Sequence, residues 1–376
     1  MTRYRWVVLA VGTAAQASFS VVLIGMAALA PALQDRYDLG LAGVGVVLGS
    51  TSAGMTVSLL PWGIAADRIG ERRAIALGLA GAAAALGGAA FAPSVAVLVA
   101  LLALAGLAGA SVNAASGRAV MHWFAPEERG LALGIRQAAI PIGGAVGALG
   151  LPALGLRAGF LAMAGGCLAA AVAGAIALRE APGETGELGR PLRDPRTWLL
   201  SFGSSLLLVG QIAVIGFVVL FLHEERGLSP GSAAAVLAVI QVLGIAIRIG
   251  AGWWSDRLGS RVVPMRRLGV ALAFALAAAA ILTEAPLGAL VPILVVAGAL
   301  GLSWNGLSFT AAAEFAGRAR SGAAIGLQQT ALGVSYTVAA IGFAAIVDAT
   351  SWRVGFALAA ICPLAGSGVL GRLVER

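Results

Sequence analysis

The sequence contains no lysine, and all 25 of its basic residues are arginines. Charge of either sign is scarce: 11% of residues are charged, against about 25% in a soluble globular protein. Apolar residues make up 60% of the chain and the mean hydropathy is +0.95, which excludes a water-soluble fold and reads as an integral membrane protein. Cysteine is almost missing. Cys167 and Cys362 stand alone in apolar stretches, which excludes a disulfide framework or a thiolate metal site. No nucleophile triad, metal-ligand cluster or phosphate-cradling loop is found, so no catalytic residue, metal or cofactor is expected. One further absence depends on position. Of the seventeen acids, Asp35, Asp38, Glu224, Glu225, Glu284 and Asp348 fall in turns on one side, and the rest lie in segments on the other side or at helix ends, Glu314 being nearest to a span. A midspan carboxylate, the group that would attract a cation into the membrane, is therefore excluded.

What the chain does have is long apolar runs. A helix crossing the hydrocarbon core needs about 20 apolar residues, and twelve such stretches can be marked, approximately 6–33, 41–62, 74–92, 95–121, 131–151, 157–178, 198–222, 231–253, 264–283, 287–313, 322–347 and 352–371. These predict an all-α integral membrane protein with twelve transmembrane helices. The first run is too long for a cleavable signal and no small-residue site ends it. Arginine reports orientation. Four arginines (Arg36, Arg157, Arg226, Arg353) fall in the turns of one side, three (Arg118, Arg136, Arg248) within spans, and the other eighteen in the segments of the opposite side. By the positive-inside rule both termini are cytoplasmic. The net charge of +8 is accounted for by these flanking arginines, so no nucleic-acid partner is expected; the lipid bilayer is the partner.

The chain also repeats itself. Gly63, Asp67, Arg68, Gly70 and Arg72 recur 189 residues later as Gly252, Asp256, Arg257, Gly259 and Arg261, and Asn113, Gly134 and Gln137 recur 192 residues later as Asn305, Gly326 and Gln329. The longest polar segment, with Pro182, Pro191 and Pro195, divides six spans from six. The expected organisation is an N-terminal half 1–178, a cytoplasmic linker 179–196 and a C-terminal half 197–376. Six helices return a chain to its starting side, so the halves share orientation.

These residues resemble the signature of the major facilitator superfamily, Gly-x-Leu-Ala-Asp-Arg-x-Gly-Arg-Arg between the second and third helices, with Ala65 in place of the leucine and Glu71 where a basic residue is usual. Pro126, Glu127, Glu128, Arg129 and Gly130 resemble the matching fourth-to-fifth connection. The resemblance covers the whole chain and implies two parallel six-helix repeats around a central site. It also implies that Asp67 meets the start of the eleventh helix at Ser321 and Gly322, and Asp256 the start of the fifth at Gly130, closing the cytoplasmic face. Arginines alone would anchor the orientation, whereas the paired aspartates and four glycines point to gating.

For a substrate site, the buried arginines stand out, because ionisable groups within a span are costly and functional by default. Gln241, Gly244, Arg248 and Gly252 follow one helix face. An arginine four residues before the motif glycine is similar to that of the monocarboxylate and oxalate transporters, where it holds the substrate carboxylate, a task suited to a planar guanidinium. Gly134, Ile135, Arg136 and Gln137 look like a run of the organic-anion and cyanate-type members. Arg118, near the end of the fourth span, is expected to snorkel to headgroups. Gln16, Asn113, Gln211, Asn305, Gln328, Gln329 and Tyr336 are candidates to line the site, and Trp304 to wall it. Taken together, the sequence predicts a monomeric transporter of a small organic anion, monocarboxylate-like, working by alternating access in the cytoplasmic membrane. Arg248 is the main contact and Arg136 the second; proton coupling, where there is any, runs through the substrate's own carboxyl group or edge residues such as Glu314, and exchange and uniport stay open. The alternatives are an exporter of a neutral or weakly polar drug-like compound and a non-transporting membrane scaffold.

Overall fold

The structure is a computed structural model and describes residues 3–179, 194–373 and 375. Most of the expected linker, residues 180–193 with Arg190 and Arg193, lies outside the described residues, as does Arg376. Every regular element among the described residues is helical: α1 (Tyr4–Leu23), α2 (Ala30–Tyr37), α3 (Leu41–Ile69), α4 (Glu71–Ala89), α5 (Val95–Gly109), α6 (Ser111–Trp123), α7 (Arg129–Ala177), α8 (Pro195–Ile215), α9 (Val218–Leu220), α10 (Pro230–Leu258), α11 (Val262–Ile281), α12 (Leu287–Ser303), α13 (Asn305–Ala316), α14 (Ser321–Ala349) and α15 (Trp352–Leu370), with short 3₁₀ and π turns between some of them.

Among the described residues, ten stretches are long and apolar enough to cross a membrane. One of them, Pro126–Ala177, is 52 residues long and is broken at Gly155, whose φ of +74° is left-handed, so it supplies two of the marked spans. The Gly- and Ala-rich α4 supplies another helix. Two spans are interrupted, the fourth between α5 and α6 at Ala110, and the tenth between α12 and α13 at Trp304. The second and eighth helices run past the apolar stretches that mark them: α3 continues to Ile69 and α10 to Leu258, so Asp67 and Asp256 stand on the last helical turn rather than in a loop. The apolar run records where hydrocarbon ends, while the helix ends where its hydrogen-bond ladder does. That point is a glycine each time, Gly70 at φ +85° and Gly259 at φ +61°, conformations a side chain would resist.

By packing, the residues fall into two compact units. The first takes in Met1–Ala125, Ile135–Pro191 and Ala316–Thr330, around a core that includes Phe19, Met26, Leu79, Leu98, Leu102, Phe160 and Met163. The second takes in Pro126–Gly134, Leu192–Phe315 and Ala331–Arg376, around Val214, Ile240, Leu272, Leu276, Leu290 and Leu294 and an aromatic group of Phe217, Phe221, Phe343, Trp352 and Phe356. The opening turns of α14 thus pack with the first set of helices, and those of α7 with the second.

Candidate functional site

The reason for that exchange lies in the repeated motif. In the first unit, Asp67 Oδ1 and Oδ2 accept hydrogen bonds from Gly322 N at 2.9 Å and Ala323 N at 2.8 Å, two of the free donors at the start of α14. In the second, Asp256 accepts from Gly130 N at 2.9 Å and Leu131 N at 2.8 Å at the start of α7. A carboxylate placed on a helix N-terminus gains from the macrodipole as well as from the charged hydrogen bonds, about 1 to 2 kcal/mol when partly buried. Glycine lets the helices come close enough. A β-carbon on Gly326 would stand 2.5 Å from the Leu59 carbonyl oxygen, and one on Gly134 3.0 Å from that of Arg248, while Gly63 faces Gly322 and Gly252 faces Gly130 with no room for a side chain.

The charges around each aspartate differ. Arg118, on α6, has Nε 3.3 Å from Asp67 Oδ1 and Nη1 hydrogen-bonded to Glu71 Oε2. Glu71 is fully buried, with Oε1 lacking a partner. The expectation that Arg118 snorkels is therefore corrected: two acids at the end of α3 and the start of α4 face it, and it is buried between them. In the second unit the central cation is Arg261. It bonds Asp256 Oδ1 and the Pro126 carbonyl, donates from Nη1 to Ser255 Oγ at 2.7 Å, and reaches Glu314 from Nε at 3.2 Å and Nη2 at 3.1 Å. Arg129 Nη1 lies 3.8 Å from the same Glu314 carboxylate. Burial by itself would lower the Arg261 pKa, but the hydrogen bonds and charges of Glu314 and Asp256 outweigh it and hold the group above the ordinary arginine value. Arg68, Arg72 and Arg257 are exposed, and Arg257 lies 3.8 Å over the Trp253 ring. The motif residues thus separate into those that hold a helix terminus and those that face outward.

Two groups of polar residues are found within the spans. In the first unit Arg136, on α7, is fully buried and donates from Nε to Ser116 Oγ at 2.8 Å, from Nη1 to Gln137 Oε1 at 2.6 Å, and from Nη2 to Gln16 Oε1 at 2.9 Å and to the Asn113 carbonyl at 2.5 Å. All four acceptors are neutral. Ser116 can accept because its own hydroxyl proton goes to the Val112 carbonyl. The Asn113 side chain turns toward Met55 Sδ at 3.9 Å. In the second unit Arg248, on α10, is buried and donates from Nε to the Leu302 carbonyl at 2.9 Å. That carbonyl belongs to the last turn of α12, where the break at Trp304 leaves acceptors without a helical partner. Asn305 reaches it from Nδ2 at 3.5 Å and also donates to Gln211 Oε1 at 3.2 Å.

Arg248 and Asn305 thus meet at the Leu302 carbonyl, with Gln211 joined through Asn305, while Gln137 and Asn113 gather around the Arg136 guanidinium. Gln241 and Gln329 are half-buried and Tyr336 is exposed; the described hydrogen bonds join none of the three to either group. Trp304 is fully buried with no partner for its indole N–H. Sequence reasoning missed Ser116, whose serine is one among many, and the Leu302 carbonyl, which no residue type signals.

The Major Facilitator Superfamily profile matches residues 9–340, which include both aspartates and both arginine groups. Over 371 residues the chain is 33% identical to the "Uncharacterized MFS-type transporter Rv2994" of Mycobacterium tuberculosis (strain ATCC 25618 / H37Rv), covering 96% of this chain and 83% of that protein. It is 23% identical over 250 residues to the "Hexuronate transporter" of Bacillus subtilis (strain 168), covering 60% of this chain and 58% of that one. Among solved structures it is similar to the Escherichia coli fucose:proton symporter FucP (N162A), with a TM-score of 0.82, 12% identity and 100% of each chain covered. Paired aspartates on helix termini, a multi-pass helical fold and a profile match over most of the chain lead to one assignment: this chain belongs to the Major Facilitator Superfamily of membrane transporters.

Proposed function

We propose that the chain moves a small organic anion, monocarboxylate-like, across the cell membrane by alternating access, with Arg248 as the main carboxylate contact and Arg136 the second. The observation that carries this reading is a buried guanidinium with no acid beside it among the described residues: Arg136 sits in the spans with four neutral acceptors. Amides, hydroxyls and carbonyls lower the cost of burying a guanidinium but leave its charge in place, so a carboxylate is the ligand it favours most. Arg248 is also buried, with Nε on the Leu302 carbonyl at the end of α12. Gln137 and Asn113 orient Arg136, Gln211 and Asn305 shape the Leu302 end, and Gln241, Gln329 and Tyr336 meet the body of the substrate. The name of the Bacillus relative, a hexuronate transporter, supports a carboxylate-bearing substrate.

In this reading Asp67 and Asp256 are latches on the cytoplasmic side, with both termini on that side. Their bonds to α14 and α7 favour the state in which the cytoplasmic end is closed, and breaking them releases the other state. A coupled proton travels on the substrate's carboxyl group, since the spans hold no midplane acid. The protein works as a monomer.

Uptake of radiolabelled monocarboxylates into proteoliposomes tests the proposal. Wild type is expected to take up at least one acid, Arg248→Ala to lose uptake by about 100-fold, and Arg248→Lys to recover little of it, because a point charge does not reproduce the paired donors. Uptake of acids that survives Arg248→Ala would contradict the assignment.

A further inference from the structure

We propose that Glu375 is a positioning residue for the second aspartate cluster, its carboxylate clamping the turn between α10 and α11 so that Arg261 stays on Asp256 and Glu314. This rests on reading that cluster as a latch. Glu375 follows α15, and its Oε1 accepts hydrogen bonds from Arg261 N at 2.6 Å and Val262 N at 2.9 Å, while Oε2 accepts from Ser260 Oγ. Ser260 Oγ in turn accepts from Val263 N at 3.1 Å. Three successive backbone donors at the start of α11 are thus satisfied by one carboxylate and one hydroxyl.

The local chemistry explains why α11 needs this. Its N-cap residue is Arg261, which makes no side-chain cap bond because a guanidinium has donors and no acceptor; those donors go to Asp256, Glu314, Ser255 and the Pro126 carbonyl. Short oxygen-bearing residues are preferred at an N-cap, and a cation there opposes the helix dipole. Glu375 supplies both the missing acceptor and a negative charge. The corresponding turn of the first half has an acid in place already: Glu71 opens α4 and stands 189 residues before Ser260. The second turn has serine at that position and receives its carboxylate from the segment after α15. Leu373, just after α15, is buried, and Arg266 on α11 donates from Nε to the Ser367 carbonyl of α15 at 3.2 Å.

The test uses the full chain with Cys167→Ala and Cys362→Ala, and a reporter, Ala132→Cys, at a fully buried position on the second turn of α7. Maleimide labelling is timed in purified protein. Asp256→Asn is expected to label roughly tenfold faster, in keeping with the loss of a partly buried charge on a helix terminus. Glu375→Ala is expected to label roughly threefold faster, Glu375→Gln between it and wild type, and Glu375→Ala to add nothing when combined with Asp256→Asn. Unchanged labelling in Asp256→Asn removes the latch reading and this inference with it. Faster labelling in Asp256→Asn, with Glu375→Ala equal to wild type or multiplying the effect, overturns the role of Glu375 alone. A lowered melting temperature without faster labelling marks a purely structural cap and also overturns it.

Discussion

The ends of α3 and α10 hold their partner helices in the same way but draw the neutralising arginine and the second acid from exchanged elements. At both, an aspartate takes two backbone N–H groups of a helix start, and glycines on both helices allow the crossing. Around that common part the charges are exchanged. The first end places the second acid, Glu71, at the start of α4 and the arginine, Arg118, on α6. The second places the arginine, Arg261, in the turn and the acid, Glu314, on α13. The repeat makes the exchange visible: Arg261 corresponds to Arg72, which is exposed, and Glu314 corresponds to His122, whose Nδ1 lies 3.0 Å from the Arg118 carbonyl. Two solutions to one electrostatic problem indicate that the aspartate on the helix terminus is the required part, and that the accompanying cation can come from either element.

The largest effect is expected from Arg118→Ala. It leaves Asp67 and Glu71 buried without a cation, which costs about 3 to 5 kcal/mol when one partner of a buried pair is removed. Thermal unfolding in detergent should show a lower midpoint for Arg118→Ala, with part of the loss recovered in Arg118→Met/Glu71→Gln, where Asp67 alone is left without its cation. Arg261→Ala should cost less, because Glu314 is a quarter exposed and can be solvated. The reverse order would show that the two ends are not electrostatic equivalents.

Next in size are the crossings. Gly252→Ala and Gly63→Ala each place a methyl against a backbone carbonyl, so a destabilisation of about 1 to 3 kcal/mol is expected from either, with the two values close to each other. A large difference between them would mean that only one crossing is tight in the working protein. Asp67→Asn should then speed labelling of a cysteine at Ala324, the counterpart of Ala132, by roughly tenfold; an unchanged rate would leave the first end without a gating role. The smallest effects belong to Arg68→Ala and Arg257→Ala. Both residues are exposed, and each change should stay within about 0.5 kcal/mol by the same unfolding assay.

How much of this could be read from the chain follows from the range of each interaction. Apolar runs of about 20 residues report a membrane span directly, and the offsets of 189 and 192 residues report the duplicated aspartates and glycines. Residues whose partners are far away carried no such signal. Arg118 and Glu71 are 47 positions apart, and Arg118 sits near a span end where snorkelling is the ordinary outcome. The charged last turns of α3 and α10 lie beyond the apolar runs that mark the helices, so helical positions for Asp67 and Asp256 could not be read from hydropathy. The acceptor for Arg248 is a backbone carbonyl freed by a helix break, which no side-chain pattern encodes.

Both ends serve a carrier whose proposed cargo is drawn by the buried arginines, and Arg248 is where that proposal is most exposed to test. A thermal-shift screen of purified protein against small organic acids and hydrophobic cations, run in parallel on wild type and Arg248→Ala, measures it most directly. The account predicts stabilisation of wild type by at least one monocarboxylate and loss of that stabilisation in Arg248→Ala. Stabilisation by cations or neutral compounds alone, or stabilisation by acids that persists in Arg248→Ala, would contradict it.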